Sequence, residues 1–127
     1  MGNLKHNIEE FRRLLPFDCM LMPAVKANAY GHGAVLVAQA LQEEGIDAFC
    51  VASVSEGIEL RQAGISGEIL VLGYTHPAEF GDLLVYDLIQ TVVDGNYAAL
   101  MQDDGRRFKV HVGIDTGMHR PGERWEN

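Results

Sequence analysis

Hydrophobic positions near the N-terminus recur at helical spacing. Leu4, Ile8, Phe11 and Leu15 are separated by four, three and four residues, with Glu and Arg between them. This predicts an amphipathic helix over residues 3–15, ended by Pro16. The pattern then changes to short apolar runs at 22–26, 48–53, 68–74, 89–94 and 108–115, each but the last followed by a helix-like stretch. Runs such as Ile69-Leu70-Val71-Leu72 are continuous rather than alternating, as in strands of a parallel sheet buried on both faces. Punctuation agrees. Ser53-Val54-Ser55-Glu56 has the spacing of a capping box for a helix closed by Gly64, Pro77 suits a first helical turn, and Asp94 can cap the stretch after it. The fold class is α/β. Periodicity alone fits either a complete doubly wound sheet or about five of the eight units of a (β/α) barrel. Length favours the complete sheet, because an unclosed barrel leaves strand edges exposed.

Composition narrows the function classes. With 10 Lys+Arg against 18 Asp+Glu among 127 residues, the net charge of −8 argues against a nucleic-acid partner. No apolar run reaches the ~18 residues of a membrane span, and the N-terminus lacks the apolar core of a signal peptide. The cysteines, Cys19 and Cys50, sit beside apolar residues without metal-ligand spacing and read as buried, reduced thiols, which fits a cytoplasmic setting. His6, His32, His76, His111 and His119 show no ligand spacing, so no metal is expected.

In either architecture, active sites form where strands end at the carboxyl edge. The run ends are Lys26, Ser53, Tyr74, Asp94 and Asp115. Lys26 closes an apolar run before the small-residue loop Ala27-Asn28-Ala29-Tyr30-Gly31-His32-Gly33. Desolvation by Met22, Ala24 and Val25 would favour its neutral amine, the nucleophile needed for a Schiff base with an aldehyde cofactor. The alternative is a lysine whose stem packs while its head reaches water. The loop runs into a helix whose free amides suit a phosphate, and Tyr30 could add its hydroxyl, though two glycines and a tyrosine also describe a plain tight turn. The fifth run ends in Asp115-Thr116-Gly117-Met118-His119-Arg120-Pro121. There the Arg120 guanidinium could grip a substrate carboxylate or simply face solvent.

Two segments together resemble a known family. Val25-Lys26-Ala27-Asn28-Ala29-Tyr30-Gly31-His32-Gly33 is similar to the cofactor-lysine signature of the pyridoxal-phosphate-dependent alanine racemases, and Asp115-Thr116-Gly117-Met118-His119-Arg120 to a later motif of the same family. Stretches 48–53, 67–77 and 90–94 look closest to the serine/alanine racemases of glycopeptide-resistance clusters and their clostridial relatives. The resemblance implies a TIM-like parallel (β/α) barrel rather than a doubly wound sheet. Residues 1–127 would be the N-terminal part of that barrel domain, with the family's C-terminal β-domain absent.

By the same resemblance, Lys26 would bind pyridoxal phosphate and act as a catalytic base. Tyr30 would bind the cofactor phosphate, and Arg120 would face the carboxylate of an alanine or serine substrate. The family works as a homodimer, the second base being a tyrosine of the partner subunit, so the isolated 127-residue chain is expected to be inactive. Two departures bear on Arg120. Gly113 stands where many members carry a carbamylated lysine that orients this arginine, and Pro121 stiffens the exit of the loop. The rival reading is a non-catalytic α/β domain that binds a small phosphorylated ligand or self-associates through open barrel edges.

Overall fold

The computed structural model describes residues 2–124. Helix α1 (Gly2–Leu14) is followed by an extended segment, the single turn α2 (Lys26–Tyr30) and helix α3 (Ala34–Glu43). Strands and helices then alternate: β1 (Ala48–Val51), α4 (Val54–Gln62), β2 (Glu68–Val71), a 3-10 turn (Pro77–Glu79) running into α5 (Phe80–Val85), β3 (Ile89–Val92), α6 (Gly95–Asp103) and β4 (Lys109–Val112). A two-residue pair, β5 (Ile114–Asp115) with β6 (Glu123–Arg124), lies beyond the main sheet.

The main sheet is parallel throughout, in the order β1-β2-β3-β4. On the free side of β1, Ala24 forms a parallel bridge to Cys50. The Val25 N–H donates to the Cys50 carbonyl and the Cys50 N–H to the Pro23 carbonyl, each at 2.9 Å. The run at 22–26 is therefore reduced from a full strand to one bridge. Pro23 has no N–H to donate, and the chain turns into α2 directly after Val25. Order in space equals order in sequence. A doubly wound sheet reverses that order at its switch point, whereas a barrel wall adds each unit beside the last. The chain is accordingly a partial barrel wall, and the expectation from length alone is corrected.

Both faces of β1, β2 and β3 are largely buried, which explains their continuous apolar runs, whereas β4 is exposed along its length. Phe49, Val51, Ile69, Val71 and Val92 pack with Leu41, Leu60, Phe80, Leu83 and Tyr97 from the helices. On the opposite face Cys50, Leu70 and Ile89 form a smaller cluster with Met22 and Leu72. Of the two thiols, Cys50 is buried as expected, but Cys19 is exposed: in its segment between α1 and the Ala24 bridge, Leu21 and Met22 pack against the core clusters and Cys19 does not. In α1, Ile8 is buried while Phe11 is 55% exposed, so the helix docks through less of its apolar face than the pattern predicts.

The predicted caps form. Ser53 Oγ accepts from the Glu56 N–H at 3.4 Å, and Asp94 Oδ1 accepts from the Tyr97 N–H at 2.7 Å. At the amino ends of β2 and β3, the half-buried Arg61 guanidinium donates to the carbonyls of Ile65, Gly67, Tyr86 and Asp87, each at 2.9 Å. The fifth run is interrupted. The Gly113 N–H continues the ladder to the Val92 carbonyl at 2.9 Å, while its carbonyl accepts from the Glu123 N–H at 2.8 Å. This switch of partner divides β4 from β5. Among the described residues, no helix is long and apolar enough to cross a membrane.

Candidate functional site

At the carboxyl ends of the strands, Lys26, Ala52, Leu72, Gly73, Thr91, Arg120 and Pro121 line an open cleft of ≈330 Å³. A larger hollow of ≈570 Å³ lies among Arg12, residues 15–21 and Gly45–Asp47, at the amino end of β1. Parallel sheets place their chemistry at the carboxyl edge, so the smaller cleft is the candidate site. Gly73 keeps it open and close-packed at once, since a Cβ there would lie 2.5 Å from the Ala52 carbonyl oxygen. The buried Thr91 hydroxyl on its wall has no hydrogen-bond partner among the described residues. A buried hydroxyl without a partner is costly, so a polar ligand group in the cleft would relieve it.

Lys26 is half-buried at the start of α2. It lies close enough to Cys50 for its ammonium to pull the thiol pKa down, against burial, which is the larger effect and pushes it up. After Lys26 the backbone does something rare. Ala27, Asn28, Ala29 and Tyr30 all have φ between 50° and 54°, forming a left-handed turn that Gly31 closes at φ 91°. Left-handed geometry costs an L-residue about 1–2 kcal/mol, so four in succession need strong local restraint.

The restraints are visible. The Ala29 N–H donates to the Val25 carbonyl at 2.8 Å, and the Gly33 N–H to the Asn28 carbonyl at 2.9 Å. Asn28 Oδ1 accepts from the Ala34 N–H at 2.8 Å, capping α3, and His32 Nδ1 lies 2.9 Å from the Ala29 carbonyl. The Ala27 N–H donates to Glu56 Oε1 at 2.8 Å, and the other Glu56 oxygen accepts from the Ala52 N–H at 2.6 Å. Ala29 is buried while Tyr30 is 64% exposed.

Lys26 and Arg120, predicted from distant motifs, thus meet on one cleft, and Tyr30 is not among its lining residues. The other run ends have structural work. Ser53 and Asp94 cap helices, and the Tyr74 ring packs at 4.7 Å from that of Tyr97. Asp115 Oδ1 accepts from the N–H groups of Gly117 and His119 at 2.9 and 3.0 Å, and these bonds hold its carboxyl below the usual range. Asp115 therefore shapes the loop that carries Arg120. Glu56 is the residue that sequence reasoning missed, because its spacing from Ser53 already had a local explanation as a capping box. Among the described residues, no group of three or more His, Cys, Asp or Glu could hold a metal ion.

Comparison with known proteins agrees with this fold. Residues 1–127 match the family model described as "Alanine racemase, N-terminal domain". An alanine racemase of Carboxydothermus hydrogenoformans is 47% identical over 130 residues, covering 99% of this chain and 35% of that protein. A serine/alanine racemase of Enterococcus gallinarum is 42% identical over 119 residues, covering 94% of this chain and 17% of that protein. A solved structure of alanine racemase from Clostridium difficile 630 superposes with a TM-score of 0.85 at 40% identity, covering 98% of this chain and 34% of that one. The chain therefore spans well under half the length of the relatives it matches.

Proposed function

Since the chain belongs to the alanine racemase family, matching its N-terminal domain, we propose that it supplies the lysine-bearing wall of an amino-acid racemase that uses pyridoxal phosphate and acts on alanine or serine. The observation that carries this reading is the meeting of Lys26 and Arg120 on one cleft at the carboxyl ends of parallel strands. The residues present fit such a cofactor. An amine stands at the rim, Gly73 leaves room where a side chain would not fit, and the unpartnered Thr91 hydroxyl offers a hydrogen bond.

In this reading Lys26 Nζ would hold the cofactor and would carry the substrate α-proton on one face. Arg120 pairs with the substrate carboxylate in a two-pronged contact. Tyr30, exposed at the end of α2, would offer its hydroxyl to the cofactor phosphate. Pyridoxal phosphate, when bound, supplies the electron sink that makes the α-proton removable. Among the described residues that line the cleft, Lys26 is the one base, whereas racemisation needs a base on each face. The second is assigned to a partner subunit of a homodimer, and these 127 residues alone are read as inactive. A cytoplasmic setting belongs to the same reading.

The test is reductive labelling. The purified chain is mixed with pyridoxal phosphate, reduced with borohydride and mapped by mass spectrometry. Selective modification of Lys26 over Lys5 and Lys109, abolished by Lys26→Ala, is the expected result. Equal modification of the three lysines would overturn the assignment, and measurable alanine or serine racemisation by the chain alone would overturn its inactivity.

A further inference from the structure

We propose that Glu56 is a positioning residue for Lys26: its carboxylate clasps the amide that follows the lysine and the amide of Ala52 across the cleft rim, fixing the left-handed turn from which Lys26 and Tyr30 project. The proposal rests on the reading of Lys26 given above and adds a residue to it. Glu56 lies 29 positions from Ala27 in sequence, yet its Oε1 accepts from the Ala27 N–H at 2.8 Å while Oε2 accepts from the Ala52 N–H at 2.6 Å. Lys26 and Ala52 both line the cleft. One side chain thus ties the two neighbouring strand ends on which that rim is built.

The chemistry requires a carboxylate. Two N–H donors converge on the group, and a carboxylate offers a separate oxygen to each, in charge-assisted bonds stronger than neutral ones. A carboxamide of the same shape keeps one acceptor and turns two N–H donors of its own toward the second amide. Helix α4 holds Glu56 in place, because the Ser53 hydroxyl accepts from its N–H at 3.4 Å and the next residue, Gly57, is buried against the core. The clasp is consequently anchored in the packed layer rather than in the loop it restrains. Without it, the first left-handed residue, Ala27, loses the hydrogen bond of its own amide, and the direction of the Lys26 stem is no longer set against Ala52 and Leu72.

The experiment compares the wild-type 127-residue chain with Glu56→Gln and Glu56→Ala, using pyridoxal phosphate and borohydride to label lysines. Amide hydrogen exchange is followed by NMR, and circular dichroism monitors the fold. The expected result in both variants has three parts. The Ala27 and Ala52 amides exchange roughly tenfold faster or more, Phe49 and Leu70 in the sheet keep their protection, and selective labelling of Lys26 falls about tenfold at unchanged circular dichroism. Wild-type-like labelling of Lys26 in Glu56→Gln, with the parent chain selectively labelled, would overturn the positioning role alone. Loss of the folded circular-dichroism signal in the isosteric Gln variant would also overturn it, since Glu56 would then be holding the fold rather than the lysine. Unselective labelling of the parent chain would overturn the reading of Lys26 and the positioning role together, so the two failures are distinguishable.

Discussion

Asp115 illustrates how a single side chain shapes the candidate site without touching the cleft. Its carboxylate accepts two backbone N–H groups from the loop it opens, and Arg120 sits at the loop's far end. The Gly117 and His119 amides, and behind them the His119 charge, depress its pKa in the folded chain. A depressed carboxylate contributes order above its unfolded pKa and loses it as pH falls through the folded one. Order in the 115–120 loop should therefore be retained at neutral pH and lost below the usual carboxylate range. Asp115→Ala should abolish that dependence and expose the Gly117 and His119 amides, read by hydrogen exchange across a pH series. At this scale the sequence was legible where a motif is contiguous, as around Lys26 and Arg120. It was silent where a contact joins distant positions, as with the reach of Glu56 to Ala27.

Among the elements, α4 links the two ends of the sheet. Its first turn carries Glu56 to the carboxyl edge, and its last turn carries Arg61 to the amino edge, where four carbonyls receive the guanidinium. A lysine cannot reproduce a planar fork that serves four acceptors. Arg61→Lys is accordingly expected to cost about 2 kcal/mol, seen as a fall of several degrees in thermal denaturation. Strand and helix order was readable because continuous apolar runs and caps such as Ser53 and Asp94 are local signals. Two features were not. The run at 22–26 shrinks to a bridge because Pro23 and the turn at Ala27 limit its pairing. The run at 108–115 breaks because Gly113 exchanges one partner strand for another. Choice between a wound sheet and a barrel wall likewise rests on strand order, which no periodicity encodes.

On the scale of the whole molecule, the sheet ends in an open edge at β4. Val110 and Val112 are 43% and 64% exposed, and with Val92, Met101 and Phe108 they border a hollow of ≈300 Å³ on the helix side of the sheet. Unpaired backbone beside exposed valines favours association. The 127-residue chain should therefore show a mass that rises with concentration in light scattering, and the double change Val110→Lys and Val112→Lys should return it to that of a monomer. The opposite end of the molecule behaves differently. The hydrogen bonds of Arg61 there go to main-chain carbonyls, which are present whatever side chains Ile65, Tyr86 and Asp87 carry. Such a staple is indifferent to drift in the loops it gathers. Descendants of this chain could diversify the carboxyl-edge loops while Ile65, Tyr86 and Asp87 changed around one retained arginine, Gly67 staying fixed because a Cβ there would lie 2.0 Å from the Asp47 carbonyl oxygen.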